Sequence, residues 1–327
     1  MTSTLIGALD IGGTKIAAIV ANEHGPLVRL SAPTAKTGSE RALAEQGVAL
    51  LQQACDQAGV SHDSLRQVGV ASAGPFVDQG GMLAVSTPNI CGGLSAQSDL
   101  PNDWIAIPLE AVLREQYDNV VIKNDCVGAL IGERTFGAAL DVPNCVYVTW
   151  STGIGFGLCV DGNILNGKAG NAGHAGHQLM DAASKAPCGC GNLGDLESLI
   201  SGRNLGTRLG QSTADAFGAA RKGEPQAKAI ATEAAQWFGR GLYNVAATLD
   251  TSLFVIGGSV WEHHADWLAP IVLHEITSRL PPVTRGVQIS AAVLGKFVTD
   301  IGALAMVMPP EWIPRWRQEQ PWRLLAD

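Results

Sequence analysis

The stretch ALDIGGTK, residues 8–15, decides how this chain is read. An apolar strand ends in Asp10, two glycines turn the chain, and Thr14 and Lys15 start a second strand. Gly12 and Gly13 carry no Cβ, so their backbone N–H groups can come close to a phosphate. Thr14 adds a hydroxyl donor, and Asp10 has the oxygen chemistry to hold Mg²⁺ through water. Taken alone, the same eight residues also fit an ordinary hairpin with a Gly-Gly turn. Working outward, LIGALDI (5–11), KIAAIVA (15–21) and PLVRLSA (26–32) form an opening set of strands separated by glycine-containing turns. A dinucleotide-binding domain instead passes from its first strand directly into a helix.

Two other glycine loops fail on chemistry or spacing. GNILNGKA (162–169) has the GxxxxGK spacing of a Walker A loop. It ends in Ala169 where a Ser or Thr hydroxyl is needed for Mg²⁺, and it begins at a hairpin turn. TGIGFG (152–157) lacks the GxGxxG spacing and no helix pattern follows it. It does form a second glycine-rich hairpin beside a Ser/Thr pair, and FVIGGSV (254–260) ends a third strand in a glycine pair. Three such elements spread over two halves point to a nucleotide held between two lobes.

Apolar β-rich runs alternate with amphipathic helical runs throughout, which gives an α/β class. Residues 40–58 read as a helix by their three- and four-residue apolar spacing. QVGVASAG (67–74) and NVVIKND (119–125) read as strands, and NCVYVTWSTGIGFGLCVDGNIL (144–165) as two strands around a glycine turn. Residues 224–249 form a long helix. The tail holds Pro309, Pro310, Pro314 and Pro321 with Trp312, Trp316 and Trp322. It reads as a surface strap without a clean helix, or as an interface with a partner subunit. A shift near residues 124–137 marks the domain boundary. It divides the chain into a smaller α/β lobe, 1–125, which the segment 300–327 is a candidate to complete, and a larger α/β lobe, 126–299.

Composition narrows the function. The 327 residues carry 22 Lys+Arg against 30 Asp+Glu, a net charge of -8. That balance disfavours nucleic-acid backbones and anionic membranes as partners. The seven cysteines, at 55, 91, 126, 145, 159, 188 and 190, lie mostly in apolar runs and read as free thiols of a reducing compartment. No basic n-region, secretory h-region or apolar run of about 18 residues is present, so a cytoplasmic protein is expected.

The order of these elements resembles the actin-like phosphotransferase superfamily. More narrowly it resembles the ROK family of sugar kinases and repressors, from Asp10 to about Gly302. The resemblance implies a two-lobed actin-like (ribonuclease H-like) fold with its active site in the interdomain cleft. DIGGTK is similar to the first phosphate motif, which puts Gly12, Gly13, Thr14 and Lys15 on ATP and Asp10 on Mg²⁺. STGIGFG is similar to the second, carried by Thr152 and Gly153, and IGGSV to the adenosine motif, carried by Gly257 and Gly258. NDCVGAL resembles the segment that supplies the catalytic base, Asp125, with Asn124 beside it on the sugar. A carboxylate within reach of the acceptor hydroxyl can orient it and take its proton. Helix N-capping is the plain alternative for Asp125. STPNI places Asn89 near the ring hydroxyls, and CGCGNLGDLESLISG adds Glu197 as a sugar contact.

This sequence departs from the family pattern twice. GNAGHAGH resembles GxxGExGH, but His174 stands where the family has Glu. Carboxylates only accept hydrogen bonds, whereas neutral imidazole donates one and accepts one. His174 and His177 are both expected to face the sugar, and a pseudosugar or cyclitol would account for the change. The second departure is in the implied zinc loop. His177, Cys188 and Cys190 match three ligands, and Asp195 replaces the family's third Cys. Asp can ligate Zn²⁺. The alternative is two free thiols with Asp195 capping the following helix. Family repressors carry a helix-turn-helix segment ahead of the first phosphate motif, and only nine residues precede Asp10. The expectation is therefore an ATP- and Mg²⁺-dependent kinase, acting on a primary hydroxyl of a hexose, amino sugar or close analogue. Structural zinc and a homodimer are part of that expectation, with a non-catalytic sugar-binding or regulatory protein as the weaker alternative.

Overall fold

In the computed structural model, residues 4–94 and 99–325 are described. Residues 1–3 of the expected first lobe and 326–327 of the expected closing segment lie outside them. The chain forms two compact units. Unit 1 takes Met1–Gly137, Asn166–Ala172 and Leu294–Asp327; unit 2 takes Ala138–Leu165 and Gly173–Val293. The first unit, expected to be the smaller and to stop at 125, is the larger and runs through Gly137.

Unit 1 begins with strands β1 (Leu5–Ile11), β2 (Lys15–Asn22) and β3 (Gly25–Pro33), then helix α1 (Ala42–Ala58). Next come β4 (Leu65–Ser72), the short pair β5 (Phe76–Gln79) and β6 (Met82–Val85), α2 (Leu109–Arg114), β7 (Asn119–Asn124) and α3 (Asp125–Phe136). Unit 2 contains β8 (Cys145–Trp150), β9 (Ile154–Val160), β10 (Asn163–Ile164), α4 (Leu196–Ile200), α5 (Gly202–Leu209), α6 (Thr213–Arg221) and α7 (Pro225–Leu249). It continues through β11 (Leu253–Gly257), α8 (Ser259–Glu262), α9 (Ala265–Thr277), α10 (Pro281–Thr284) and β12 (Gln288–Ala291). The chain then returns to unit 1 as α11 (Val298–Val307) and α12 (Ile313–Glu319).

The sheet of unit 1 has the order β3-β2-β1-β4-β7, and that of unit 2 the order β10-β9-β8-β11-β12. In each, the first three strands form an antiparallel meander and the last two run parallel to the first. One strand plan therefore occurs twice, and each copy has a glycine turn between its first two strands.

Both faces of the first sheet are covered, so β1 is apolar but for Asp10 and its side chains sort by parity. Leu5, Leu9 and Ile11 join Leu43, Leu51 and Ala54 of α1 in one core. Ile6 and Ala8 join Ile301 and Leu304 of α11 in the other. Each fully buried Leu or Ile among them contributes roughly 1.5–3 kcal/mol. α3 belongs to unit 1 because it packs on α11 at glycines: a Cβ on Gly302 would overlap the carbonyl of Gly128. In unit 2 the core lies between the sheet and α7 and α9, with Trp150 stacked on Phe238 at a centroid distance of 4.4 Å.

The tail differs from the expected surface strap. Trp312, Trp316 and Trp322 are buried, and Phe136 lies 4.9 Å from the Trp322 ring and 6.0 Å from Trp316. α12 carries Trp316 into the same core as α11, so the tryptophans complete unit 1 and are not offered to a partner. Among the described residues no helix is long and apolar enough to cross a membrane.

Candidate active site

Strand parity places Asp10. It lies on the same face of β1 as Ile6 and Ala8, towards α11, where Asp10 Oδ2 accepts the Thr299 hydroxyl at 2.8 Å. Burial, then the neighbouring Asp300 carboxylate, push the Asp10 carboxyl up to about 7. Asp300, next to Thr299 on α11, is itself buried and paired with Arg29 of β3 at 3.2 Å. The pairing register sets Ile11 of β1 beside Ser72 of β4, and Ser72 beside Asn124 of β7. The C-terminal ends of three adjacent parallel strands thus bring Asp10, Asn124 and Asp125 to one edge of unit 1, where α/β sheets bind ligands.

Asn124, not Asp125, is the N-cap of α3: its Oδ1 accepts the Cys126 N–H at 3.0 Å. Asp125 is the first helical residue, and its Oδ1 shares that N–H at 2.8 Å. Burial raises its carboxyl above the ordinary carboxylate range, against the lowering pull of the Cys126 N–H. A half-buried carboxyl with raised proton affinity suits a general base.

In the β1–β2 turn, Gly12 N–H is committed to Lys15 O at 2.9 Å, and Gly12 O accepts the Thr34 hydroxyl at 2.7 Å. The N–H groups of Gly13 and Thr14 have no partner among the described residues. A Cβ on Gly13 would come within 3.1 Å of Asn89 Cβ, so glycine lets the β1–β2 turn and the loop carrying Asn89 approach closely. Lys15 is exposed.

In unit 2 the equivalent turn, 151–153, opens onto a cavity of about 530 Å³. Ser151, Thr152, Arg203, Ser259 and His264 are among its lining residues. The end of β11 lies beside the end of β8, with Gly257 opposite Thr149. Gly258 has φ +95°, and a Cβ there would lie 2.5 Å from Trp150 O, so both its conformation and its space require glycine.

The GNAGHAGH loop lies against β9: a Cβ on Gly173 or Gly176 would overlap the carbonyl of Phe156 or Ile154. Its short 3₁₀ turn, Ala175–His177, sets the His174 and His177 rings 5.9 Å apart. His174 Nε2 is buried with no partner among the described residues. Burial, then the nearby His177, lower its proton affinity, so the ring is neutral.

His177, Cys188, Cys190 and Asp195 offer four ligand atoms within 4.8 Å of one another. The donor set suits Zn²⁺. Asp195 does not have to choose between ligand and cap. Its Oδ1 caps α4 by accepting Ser198 N–H at 2.7 Å, while Oδ2 lies 3.2 Å from His177 Nδ1 and 3.6 Å from Cys190 Sγ. Glu197, expected on the sugar, also has protein partners. Its Oε2 accepts the Ile154 N–H at 2.9 Å and its Oε1 lies 3.5 Å from Cys188 Sγ.

Unit 1 thus gathers Asp10, Gly13, Asn89, Asn124 and Asp125. Unit 2 gathers Thr152 and Gly153 with Glu197, the two histidines and the ligand cluster, and holds Gly257 and Gly258 beside the cavity. Sequence reasoning missed Thr299, Arg203 and His264. The one signal in the sequence was the polar Thr299-Asp300 pair inside an otherwise apolar run.

Residues 6–309 match the model of the ROK family. An N-acetylmannosamine kinase of Salmonella heidelberg (strain SL476) is 32% identical over 309 residues, covering 92% of this chain and 96% of that protein. A ROK hexokinase structure from Thermus thermophilus superposes with a TM-score of 0.76 at 29% identity, covering 93% of this chain and 97% of the other. A ROK family glucokinase from Streptomyces griseus, in complex with glucose and AMPPNP, gives 0.66 at 28% identity over 93% and 99%.

Proposed function

We propose that this chain, which belongs to the ROK family, is an ATP-dependent kinase that phosphorylates a primary hydroxyl of a hexose or amino sugar. It is a carbohydrate kinase, a phosphotransferase with an alcohol acceptor, and its fold is the actin-like α/β fold of its structural neighbours. The observation that carries the reading is the Asp125 carboxyl, raised by burial and set beside the β1 turn at the ends of parallel strands.

In this reading Asp125 takes the proton of the acceptor hydroxyl as the phosphoryl group arrives. Asn124 caps α3 with its carbonyl and hydrogen-bonds the Asp125 carboxylate with its amide, which leaves one amide hydrogen to donate to the sugar, and Asn89 orients a further hydroxyl. The free N–H groups of Gly13 and Thr14 meet the transferred phosphate. The 151–153 turn and the unit 2 cavity hold the rest of the nucleotide, with Gly257 and Gly258 letting the chain pass close to it. The AMPPNP and glucose bound by the Streptomyces griseus glucokinase support both ligand classes. Asp10 keeps one carboxylate oxygen clear of Thr299 for Mg²⁺, which would supply charge neutralisation at the phosphates. His177, Cys188, Cys190 and Asp195 would hold Zn²⁺, which would brace the loop carrying His174.

His174 favours a second reading of the acceptor. A neutral ring with an unpartnered Nε2 offers different hydrogen bonding from the family's Glu, which suits a pseudosugar or cyclitol lacking the usual anomeric centre. The experiment is acceptor-dependent ADP formation over a panel of hexoses, acetylated amino sugars and cyclitols. A sugar kinase gives turnover with a hexose or amino sugar. Turnover confined to cyclitols moves the assignment to the second reading, and no acceptor-dependent ADP with any member overturns the first.

A further inference from the structure

We propose that His264 selects the phosphoryl donor, its Nε2–H donating a hydrogen bond to an acceptor atom on the nucleoside part of the nucleotide. This rests on the reading of the unit 2 cavity as the nucleotide site.

The tautomer follows from the neighbours of His264. Arg221 Nε donates to His264 Nδ1 at 3.2 Å. Arginine has no acceptor, so Nδ1 must be the unprotonated nitrogen and the ring proton sits on Nε2. Arg221 is itself held from two sides, by an ion pair with Asp266 and by the carbonyl of His263 at 3.2 Å. The Phe217 ring packs 5.1 Å from the imidazole. A second ring proton would have to enter at Nδ1, against Arg221. Burial and then the Arg221 charge lower the proton affinity of the ring, with His263 adding to that and Asp266 opposing it.

Nε2 is left for a ligand. His264 lines the cavity and its ring is mostly buried, yet Nε2 has no partner among the described residues and is not sealed from solvent. The cavity therefore presents one N–H donor of fixed tautomer, with Ser259 among its other lining residues. An inorganic polyphosphate has no nucleoside to meet it. A purine nucleotide has ring nitrogens and ribose oxygens that do.

The test is calorimetric titration of native protein, His264→Phe and His264→Gln with AMPPNP and with inorganic tripolyphosphate. Loss of the donor leaves a ligand acceptor unpaired, so His264→Phe should weaken AMPPNP binding by about tenfold and leave tripolyphosphate unchanged. His264→Gln, whose amide NH₂ reaches close to the Nε2 position, should recover most of that loss. Equal AMPPNP affinity in native protein and His264→Phe, with only the melting temperature changed, would mean the Arg221–His264 contact merely ties α6 to α9, and would overturn the proposal. Native protein that binds no AMPPNP would overturn the donor reading itself. A second measurement needs no variant: in histidine-¹⁵N-labelled protein, the His264 Nε2–H resonance should move with AMPPNP and not with tripolyphosphate. A resonance unmoved by AMPPNP would also overturn the proposal.

Discussion

Glu197 Oε2 accepts the backbone N–H of Ile154 at 2.9 Å, immediately after the 151–153 turn. The carboxylate that the family pattern assigns to the sugar therefore also fixes the 151–153 turn. Its other oxygen, 3.5 Å from Cys188 Sγ, ties that turn to the ligand loop. Glu197→Ala strands the Ile154 N–H, at a cost of about 1–3 kcal/mol. Thermal unfolding should show the lower stability, and AMPPNP titration should show weaker binding. Unchanged AMPPNP affinity would mean the turn does not touch the nucleotide.

A side chain at Gly153 would displace the end of the Glu197 side chain. A Cβ there would lie 2.8 Å from Glu197 Oε2. Gly153→Ala should push the Glu197 carboxylate away and strand the Ile154 N–H, at a cost of about 1–3 kcal/mol. Its effect should not add to that of Glu197→Ala, because both variants break one contact. Additive losses in the double variant would show the two residues to be independent.

Asp195 separates cap from ligand. Protein purified without chelator should carry close to one Zn²⁺ per chain by metal analysis. Asp195→Asn keeps a good N-cap and removes the carboxylate, so it should lose zinc while α4 stays intact. Asp195→Ala should lose the metal and a further ~1 kcal/mol of helix stability. Full zinc occupancy in Asp195→Asn would remove Asp195 from the ligand set.

His174→Glu restores the family residue and turns a donor-acceptor group into an acceptor. The ratio of kcat/KM between common hexoses and the preferred acceptor should rise, by roughly 5- to 150-fold for one mispaired buried group. An unchanged ratio would show that His174 does not read the acceptor.

The opening three strands, α1, β4, β7, β8, β9, α7 and β11 were legible from apolar runs or helical spacing, and DIGGTK announces a strand, a glycine turn and a second strand. Asp125 was legible as a carboxylate at a strand end. What was not legible depends on contacts distant in sequence. Thr299 meets Asp10 across 289 residues, and Arg221 meets His264 across 43. No local spacing encodes either contact. The cap of α3 fell one residue early, on Asn124, because Asn and Asp cap equally well and only the backbone angles decide. The second copy of the strand plan was hidden because β10 is two residues long. The tail looked like a strap because its prolines interrupt any long periodicity, and its tryptophans show their burial only once α11 and Phe136 are in place.

As the proposed base, Asp125 should set the acid limb of the reaction by its titration. Catalysis needs the carboxylate, and burial raises its proton affinity. Activity should therefore fall, as pH drops, through an apparent pKa above the ordinary Asp value of about 3.9. A raised folded-state pKa contributes stability below the unfolded pKa and loses it as pH rises through the folded one. At neutral pH the ionised Asp125 thus opposes folding, and Asp125→Asn should melt at a higher temperature. A lower melting temperature for the variant at neutral pH would contradict the assigned burial of the charge.

The most direct measurement is the turnover of Asp125→Asn with the acceptor that native protein phosphorylates fastest. The shape of the residue is kept and its proton acceptor is removed. General base catalysis is typically worth about 10²–10⁴-fold, so kcat should fall by that order while the dissociation constant for the sugar stays within a few-fold of native. A folded Asp125→Asn protein with native turnover would contradict the assignment of Asp125 as the base.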